Sequence, residues 1–224
     1  MTGDLQIVTT ADGSKTIFNP LVGENYHSKH GALQESKHVF LNAGLLYFLE
    51  QSQSQSASIL EVGFGTGLNF LLTADYCIEH QIKLNYTGIE AYPLTFEFIN
   101  NTGYNEYASP ETWQQMLGNY QTTLQQPVDL NEYCRLHVAN TQLLEFESAQ
   151  KFDVIYFDAF AAIHQPEMWG EEAISHTVKF MKPGSVFVTY AITGNLKRIL
   201  KSLGLTIQKI PGAPGKREML RAVL

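Results

Sequence analysis

Three glycines stand between an apolar run and a helical pattern in the segment Glu61-Val-Gly-Phe-Gly-Thr-Gly67. Glycines at such a turn let a ligand approach the free backbone amides at the start of a helix. The spacing differs from the dinucleotide-binding pattern GxGxxG because residue 68 is leucine, and the Gly-Lys-Ser/Thr of a phosphate-binding P-loop is absent. The segment therefore predicts a ligand-binding loop of another kind.

Acidic and polar residues near this loop indicate what it binds. Glu61 would repel a phosphate but favours the cationic amino acid portion of S-adenosylmethionine. Glu90 ends the next apolar run, where a carboxylate can accept hydrogen bonds from both ribose hydroxyls of an adenosine. Asn140 ends the third run and either pairs with the adenine edge or is an ordinary turn residue. The cofactor-binding candidates are Glu61, Gly63, Phe64, Gly65, Thr66, Gly67, Asn69, Glu90 and Asn140.

A further acid, Asp158, closes the fourth apolar run. In a doubly wound sheet the carboxyl ends of the strands open onto one crevice, which would place Asp158 near the transferable methyl group. An alkylammonium has no lone pair at neutral pH, so an enzyme that methylates an amine must take its proton and align the nitrogen. Asp158 is therefore the candidate catalytic residue, with a helix N-cap as the alternative.

Seven apolar runs alternate with helix-sized segments over most of the chain. This alternation predicts an α/β fold with a largely parallel sheet covered on both faces. The last two runs are joined by Pro-Gly-Ala-Pro-Gly-Lys-Arg-Glu, which is too short for a crossover helix and predicts an antiparallel edge hairpin. The expected fold is a Rossmann-like class I S-adenosylmethionine-dependent methyltransferase with a seven-stranded sheet. The predicted strands are residues 58–62, 86–90, 136–140, 154–158, 186–190, 205–210 and 219–224.

Two segments do not belong to this repeating pattern. Residues 1–57 are predicted to form an N-terminal extension, with a hairpin-like start over 5–18 and a helix over 39–51, that packs on a catalytic domain of residues 58–224. Residues from about 100 to 130 form an aromatic, charge-poor insert between two strands. Inserts at the carboxyl ends of parallel strands often build substrate pockets, and the alternative is that this one caps the sheet.

Composition narrows the class of protein. With 224 residues, 44% hydrophobic and 17% charged, the chain has apolar material for one sizeable core. No apolar run approaches the roughly 18–20 residues of a membrane span, so we expect no membrane partner and a cytoplasmic location. The two cysteines, Cys77 and Cys134, lack CxxC spacing and are expected to be reduced core residues. The seven histidines lack a metal-binding spacing, so no metal is expected.

The net charge of −7 is unevenly distributed. From His176 onward, nine lysines and arginines face the single acid Glu218, whereas the first 175 residues carry six basic and 21 acidic residues. The acidic balance argues against non-specific coating of nucleic acid. The split is typical either of a polyanion-binding face or of lysines on solvated helices.

Four motifs in matching order resemble the methyltransferase module of the MnmC-type tRNA-modifying enzymes, including stand-alone MnmD-like forms. They are YHSKHGALQESKHVFLNAGL (26–45), GFGTGLNF (63–70), FDAFAAIHQPEMW (157–169) and GKREML (215–220). The resemblance implies methyl transfer from S-adenosylmethionine to the amine of 5-aminomethyl(-2-thio)uridine at the wobble position of tRNA. It also places Asp158 on the motif acid that orients the substrate amine. Ala162, where the family often has proline, and Asn140, where an acid is common, depart from the pattern.

The resemblance also bears on partners. Bifunctional members carry an FAD-dependent oxidase domain that makes the amine, and this chain is too short to hold it. We therefore expect no FAD and an amine supplied by a separate enzyme or pathway, with the tRNA anticodon stem-loop as the partner. The lysines and arginines are expected on phosphates, and an aromatic, Phe160, Trp169 or Tyr190, either stacks on the uridine or belongs to the core. The substrate-binding candidates are Tyr26, Glu35, Phe160, Trp169, Lys197, Arg198, Lys216 and Arg217.

Two other functions fit the same residues. A methyltransferase for a free small-molecule amine needs the same loop and the same acid. A non-catalytic partner subunit that binds S-adenosylmethionine would have no chemical need to keep Asp158 together with a complete glycine loop.

Overall fold

The computed structural model describes residues 5–224, and its first element is a three-stranded antiparallel sheet, ordered β1-β2-β3. The strands are β1 (Gln6–Thr9), β2 (Lys15–Asn19) and β3 (Glu24–Asn25). The turn between β1 and β2 caps the helix that follows this sheet, because the Ser14 hydroxyl accepts hydrogen bonds from the amides of Ala32 and Leu33 at 3.0 and 3.1 Å. The small sheet therefore fixes where the helix begins.

One helical stretch runs from residue 32 to residue 52. It consists of α1 (Ala32–Glu35), an eleven-residue π-helical segment (Ser36–Leu46) and α2 (Tyr47–Ser52). The π-helical segment packs on the main sheet, where the ring centroids of Phe40 and Tyr156 lie 5.3 Å apart. The helix predicted over 39–51 therefore exists, but it starts seven residues earlier and is largely π-helical.

The main sheet has eight strands in the order β10-β11-β9-β8-β4-β5-β7-β6. Neighbouring strands from β9 to β7 run parallel, and β10 and β11 form the predicted antiparallel edge hairpin. The expected number of seven strands is wrong by one, because the two-residue β6 pairs antiparallel with β7 at the other edge. The strands are β4 (Ser56–Val62), β5 (Lys83–Ile89), β6 (Val128–Asp129), β7 (Cys134–Ala139), β8 (Phe152–Phe157), β9 (Met181–Thr189), β10 (Thr206–Pro211) and β11 (Glu218–Val223).

Helices cover both faces of this sheet and give two hydrophobic cores. The larger core joins one face to α3, α5 and the π-helical segment, and it includes Ile17 and Phe40 from the region before β4. The smaller core joins the other face to α6 and α7. The helices are α3 (Leu68–Glu79), α4 (Phe96–Asn101), α5 (Pro110–Thr123), α6 (Glu171–Val178) and α7 (Gly194–Ser202).

The insert at about 100–130 contributes α5 and buries Trp113, Met116 and Tyr120 in the larger core. Its residue Tyr104 is also buried and lies 3.3 Å, hydroxyl to hydroxyl, from Thr66 in the glycine turn. The insert therefore covers part of one face of the sheet, and its Tyr104 supports the glycine turn through the contact with Thr66. Within residues 5–224, no helix combines the length and the apolar character that crossing a bilayer requires.

Gly44 should be sensitive to any added side chain, because a β-carbon there would lie 2.8 Å from Tyr156 Cε1 and 3.0 Å from Val188 Cγ2. We expect Gly44→Ala to lower the free energy of unfolding by about 1–3 kcal/mol, measured by urea denaturation. Gly118 in α5 is the matched control, since a β-carbon there meets nothing within 4 Å. Gly118→Ala should raise the free energy of unfolding by about 0.5–1 kcal/mol. Equal effects of the two substitutions would contradict the packing of the π-helical segment on β8.

Candidate active site

A cavity of about 670 Å³ opens at the carboxyl ends of β4, β5 and β8. Ligand-binding clefts range over roughly 300–1,000 Å³, so the cavity is large enough for a nucleoside-sized ligand. The walls come from the glycine turn after β4, the residues after β5, β7 and β8, the start of α6, and the β2–β3 region. The sheet thus brings together segments that are far apart in the chain.

The glycine turn leaves β4 with three positive φ angles, +90° at Gly63, +53° at Gly65 and +78° at Gly67. A β-carbon on Gly63 would lie only 2.5 Å from the carbonyl oxygen of Asp158. The side chain of Phe64 fills the space that a β-carbon on Gly88 would need. The glycine spacing is therefore required by backbone conformation and by the close approach of two loops. Gly63, Phe64, Gly65 and Thr66 line the cavity, while Gly67 is the N-cap of α3.

Two acids are joined by one amide beside the turn. Asn69 Nδ2 donates to Glu61 Oε1 at 2.7 Å and to Asp158 Oδ2 at 2.9 Å, and Tyr86 donates its hydroxyl to the other Glu61 oxygen at 2.8 Å. Asn69 and Asp158 line the cavity, whereas Glu61 is fully buried and lies behind the wall. Burial raises the pKa of Glu61 well above its usual value. Glu61 is thus placed to hold Asn69 rather than to contact a ligand directly.

Asp158 has an unusual titration. Burial raises its pKa to about 8, and the nearby Glu35 carboxylate adds to this increase. The hydrogen bond from Asn69 and the positive charge of Lys216 act in the opposite direction. The raised pKa makes the ionised form of Asp158 a stronger base than an ordinary aspartate, so this carboxylate can accept a proton from an alkylammonium.

Three hydrogen bonds fix the residues that follow Asp158. Tyr190 donates its hydroxyl to the Ala159 carbonyl at 2.9 Å, Trp169 Nε1 donates to the Phe160 carbonyl at 2.7 Å, and the Ala161 amide donates to Glu24 Oε2 at 2.9 Å. We call residues 158–165 the Asp158 loop. The three side chains that hold this loop come from separate parts of the chain, so the backbone next to Asp158 is fixed from several directions.

The aromatic candidates divide into two groups. Tyr26 and Phe160 both line the cavity, with ring centroids 5.1 Å apart in an edge-to-face arrangement. Trp169 is buried, lies outside the cavity lining and packs against Phe157 and Tyr190. Of these candidates, Tyr26 and Phe160 are therefore placed to contact a ligand, and Trp169 is placed to support the loop.

Glu90 borders the other end of the cavity. Its carboxylate accepts hydrogen bonds from the Gly65 amide at 2.9 Å and from the Tyr92 amide at 3.0 Å, which ties the glycine turn to the residues after β5. Asn140 is exposed and lies outside the cavity lining, where the wall is formed instead by Thr141 and Gln142. Asn140 was a candidate because it ends an apolar run, but its exposed side chain does not belong to the cavity lining.

Among the described residues, 5–224, every charged side chain in the cavity lining is acidic, and none of the lining residues is a lysine or arginine. His27 also lines the cavity, and burial lowers its pKa to about 4, so it is neutral at pH 7. The cavity therefore favours cationic ligands. Several lining residues were not among the candidates predicted from the sequence. Tyr92 and Gln142 lie in loops without a motif, Glu171 and Glu172 begin α6, and His27 and Glu167 lie within quoted motifs whose pattern does not single them out.

The basic candidates do not form one surface. Lys197 and Arg198 lie in the first turns of α7, which follows the carboxyl end of β9, and Arg217 is exposed in the β10–β11 turn. Lys216, in contrast, forms an ion pair with Glu35 at 2.8 Å. The described chain, residues 5–224, contains no group of three or more His, Cys, Asp or Glu residues that could hold a metal ion.

The fold, the glycine turn and the acidic cavity together define an S-adenosylmethionine-dependent methyltransferase. A family model described as S-adenosyl-L-methionine-dependent methyltransferase matches residues 107–224, just over half of the chain. The chain belongs to this family, which confirms the enzyme class and the cofactor predicted from the sequence.

Curated relatives carry a more specific name. The tRNA 5-methylaminomethyl-2-thiouridine biosynthesis bifunctional protein MnmC of Leptospira interrogans is 30% identical over 204 residues, which cover 87% of this chain and 32% of the relative. The protein of the same name from Magnetococcus marinus is 30% identical over 237 residues, with 97% and 34% covered. The chain spans about a third of the length of these relatives.

The crystal structure of MNMC2 from Aquifex aeolicus has the same fold. It matches with a TM-score of 0.79 at 22% sequence identity and covers 99% of this chain and 70% of the other. This likeness confirms the predicted class I methyltransferase fold.

The buried carboxyl group of Asp158 should make stability depend on pH. In the folded protein Asp158 keeps its proton up to about pH 8, whereas in the unfolded chain Asp158 releases the proton near pH 4. The free energy of unfolding must therefore fall as the pH rises from about 4 to about 8. His27 contributes in the opposite direction, and its contribution fades above about pH 6.5, as the pH passes the unfolded pKa of histidine. We expect a slope of up to about −1.4 kcal/mol per pH unit from this one proton between about pH 6.5 and 8.

Urea unfolding of the cofactor-free protein at several pH values measures this slope, and Asp158→Asn should make it less negative by the share of this one proton. Asp129 offers a matched control, because a hydrogen bond from Arg135 holds the pKa of this exposed carboxyl below its ordinary value. Asp129→Asn should leave the slope in this window unchanged. Parallel curves for the wild type and Asp158→Asn would contradict the raised pKa.

Proposed function

We propose that this methyltransferase transfers a methyl group from S-adenosylmethionine to the primary amine of 5-aminomethyl(-2-thio)uridine at the wobble position of tRNA. The observation that carries this proposal is the Asp158 carboxyl, which has a pKa raised to about 8 and lies in a cavity whose described lining residues include no lysine or arginine. The names of the Leptospira and Magnetococcus relatives support the substrate. The product would be the methylaminomethyl form of the nucleoside.

The residues of the cavity fit the cofactor. The positive-φ glycines keep side chains away from the backbone of the turn, and the Glu90 carboxylate has lone pairs left to accept hydrogen bonds from ribose hydroxyls. The acidic lining suits a ligand that carries an ammonium and a sulfonium group. When bound, S-adenosylmethionine supplies a methyl group that leaves its sulfur for a nucleophile. Glu61 would act on this site only through Asn69.

Asp158 handles the proton of the substrate amine. An aminomethyl group enters as an ammonium ion, and Asp158 in its ionised form attracts it, orients it and accepts one of its protons. The freed nitrogen lone pair then forms the new N–C bond, and the proton stays on the carboxyl group. Asn69 holds one Asp158 oxygen at 2.9 Å, which limits the directions from which the amine can approach.

The substrate side of the cavity suits an unpaired base. A nucleotide in an anticodon loop is already largely unpaired, so moving it into a pocket costs only about a few kcal/mol. We assign contact with the uridine ring to Tyr26 and Phe160, whose rings pack edge to face in the cavity lining. We place the reaction in the cytoplasm, where tRNA is available, with the aminomethyl group made by a separate enzyme.

A radiolabelled methyl-transfer assay tests the function. The substrates are S-adenosylmethionine and tRNA whose wobble uridines end at the aminomethyl stage, with tRNA lacking that amine as the control. The proposal expects label only in the first tRNA. Label in the free aminomethyl nucleoside but not in tRNA would replace it with a small-molecule amine methyltransferase. No label with any substrate, despite measured cofactor binding, would leave a non-catalytic binding subunit.

Asp158→Asn should reduce kcat roughly 100-fold or more, because the amide has the same size but cannot accept the proton. The affinity for S-adenosylmethionine, measured by calorimetry, should change less than about threefold. Glu90→Gln provides the opposite pattern, with weaker cofactor binding and a kcat at saturating cofactor close to that of the wild type. An Asp158→Asn enzyme that retains kcat would remove Asp158 from the mechanism.

The exposed arginines near the carboxyl ends of the strands are proposed phosphate contacts, together with Lys197. Reversal of two charges in Arg198→Glu/Arg217→Glu should raise the tRNA KM about tenfold or more and reduce the slope of log KM against log salt by about 2. Lys179→Glu is the control, because Lys179 is exposed at the opposite edge of the sheet, just before β9. An unchanged KM in the double variant would show that tRNA approaches from another side.

A further inference from the structure

A cluster of charged and aromatic side chains lies next to Asp158 but outside the cavity lining. It consists of Glu24, Glu35, Tyr190 and Lys216, and it combines residues from the N-terminal and C-terminal parts of the chain. None of these side chains is needed to hold the cofactor as described above. Their arrangement around the Asp158 loop gives them another role.

Lys216 is the centre of the cluster. Its Nζ lies 2.8 Å from Glu35 Oε1 and 3.7 Å from the centroid of the Tyr190 ring. The other Glu35 oxygen accepts the Ser28 amide at 2.7 Å, so the carboxylate is fully engaged. The side chains of Lys216 and Glu35 are 31% and 7% exposed, and the Lys216 ammonium already has Glu35 and the Tyr190 ring as partners.

The turn that carries Lys216 is locked against the N-terminal part of the chain. Gly215 has φ +88° and packs on the ring of His30, which occupies the space of any β-carbon at this position. The Pro211 carbonyl lies 2.8 Å from His38 Nε2 at the other end of the turn. The turn that carries Lys216 therefore contacts the N-terminal part of the chain at both of its ends.

The cluster reaches the reaction centre along two routes. Tyr190, under the Lys216 ammonium, donates its hydroxyl to the Ala159 carbonyl at 2.9 Å and so holds the residue next to Asp158. Glu24 holds the Ala161 amide at 2.9 Å. A change in the ion pair would alter both the position of the Asp158 loop and the charge that surrounds it.

We propose that Lys216 is a positioning residue for methyl transfer, which acts through Glu35 and Tyr190 on the Asp158 loop, and that it is not a tRNA phosphate contact. This inference rests on the proposed function, because it concerns the proton transfer assigned to Asp158. It replaces the expectation, drawn from charge alone, that Lys216 contacts the anticodon stem.

The charges that face Asp158 predict the direction of each substitution. Glu35 and Glu24 raise the pKa of Asp158, whereas Lys216 and the hydrogen bond from Asn69 lower it. Glu61 shares the same Asn69 amide, and the Tyr190 hydroxyl is neutral because burial raises its pKa. Removing the lysine and removing its partner acid should therefore move the protonation of Asp158 in opposite directions.

The test is the pH profile of kcat/KM for methyl transfer to aminomethyl tRNA. Lys216→Met should shift the acid limb to higher pH by about half a unit or more, which is about a threefold loss at pH 7. Glu35→Gln should shift the limb to lower pH, and the double variant should return it toward the wild-type position. Lys216→Arg keeps the charge and should keep the limb within about 0.2 units of the wild type.

A phosphate contact would give a different result. In that case Lys216→Met would raise the tRNA KM and reduce its salt dependence, as expected for Arg217, without moving the acid limb. Lys209→Met, an exposed lysine on β10, controls for the loss of one positive charge and should change neither quantity.

The two proposals fail in distinguishable ways. If the wild type does not methylate aminomethyl tRNA, the proposed function fails before any variant is compared. If the wild type is active and both single variants move the acid limb in the same direction, or neither moves it, the role of Lys216 is overturned. Thermal unfolding of each variant separates a misfolded protein from one with an altered profile, and Glu35→Gln keeps the test decisive if Lys216→Met does not fold.

Discussion

The carbonyl oxygen of Asp158 lies 2.5 Å from the position that a β-carbon on residue 63 would occupy. Strands β4 and β8 are parallel neighbours, with Val62 opposite Phe157, so the loops that leave them emerge side by side. The Asp158 amide donates to the Val62 carbonyl at 2.9 Å and extends the strand pairing by one more bond. The cofactor turn and the catalytic acid are therefore fixed relative to each other by backbone contact, and a glycine at position 63 is the condition for this arrangement.

The same contact concentrates negative charge in a confined space. Burial raises the pKa of Glu61, of Glu90 and of Asp158, and a single asparagine amide links the first and the last of them. Buried acids without cationic partners reduce stability, and such groups are typical of sites that bind a cation. A cofactor with two positive groups and a substrate ammonium supply the missing partners. These acids thus lower the stability of the free protein, and the same acids raise the affinity of the site for cationic ligands.

The sequence predicts the parts of this structure that depend on local pattern. Apolar runs locate the seven longer strands of the main sheet to within a few residues, and the short Pro/Gly-rich turn identifies the edge hairpin because it leaves no room for a helix. The glycine spacing identifies the cofactor turn for the same reason, since each positive φ is a local requirement. The strand β6 could not be predicted, because two residues are too few to show an alternating pattern. The π-helical form of residues 36–46 could not be predicted either, because the sequence periods used to recognise helices are those of the α-helix.

Contacts between distant residues could not be predicted in this way. Ser14 caps a helix 18 residues later, and the Lys216–Glu35 pair joins residues 181 positions apart. Counting charges therefore predicts a phosphate contact for Lys216 but could not predict its ion pair with Glu35. Strand ends correctly indicated Asp158 and Glu90 as cavity residues but also indicated Asn140, which the chain directs into solvent.

The central claim is that the pKa of Asp158 is raised to about 8 in the free protein, so that its ionised form is a strong enough base to take a proton from the substrate. Carbon-13 NMR of protein labelled at the aspartate side-chain carboxyls measures this directly. The account predicts one aspartate that titrates near pH 8, a signal missing from Asp158→Asn and shifted to lower pH when S-adenosylmethionine binds. If every aspartate signal titrates below about pH 5, the proton-accepting role of Asp158 is wrong.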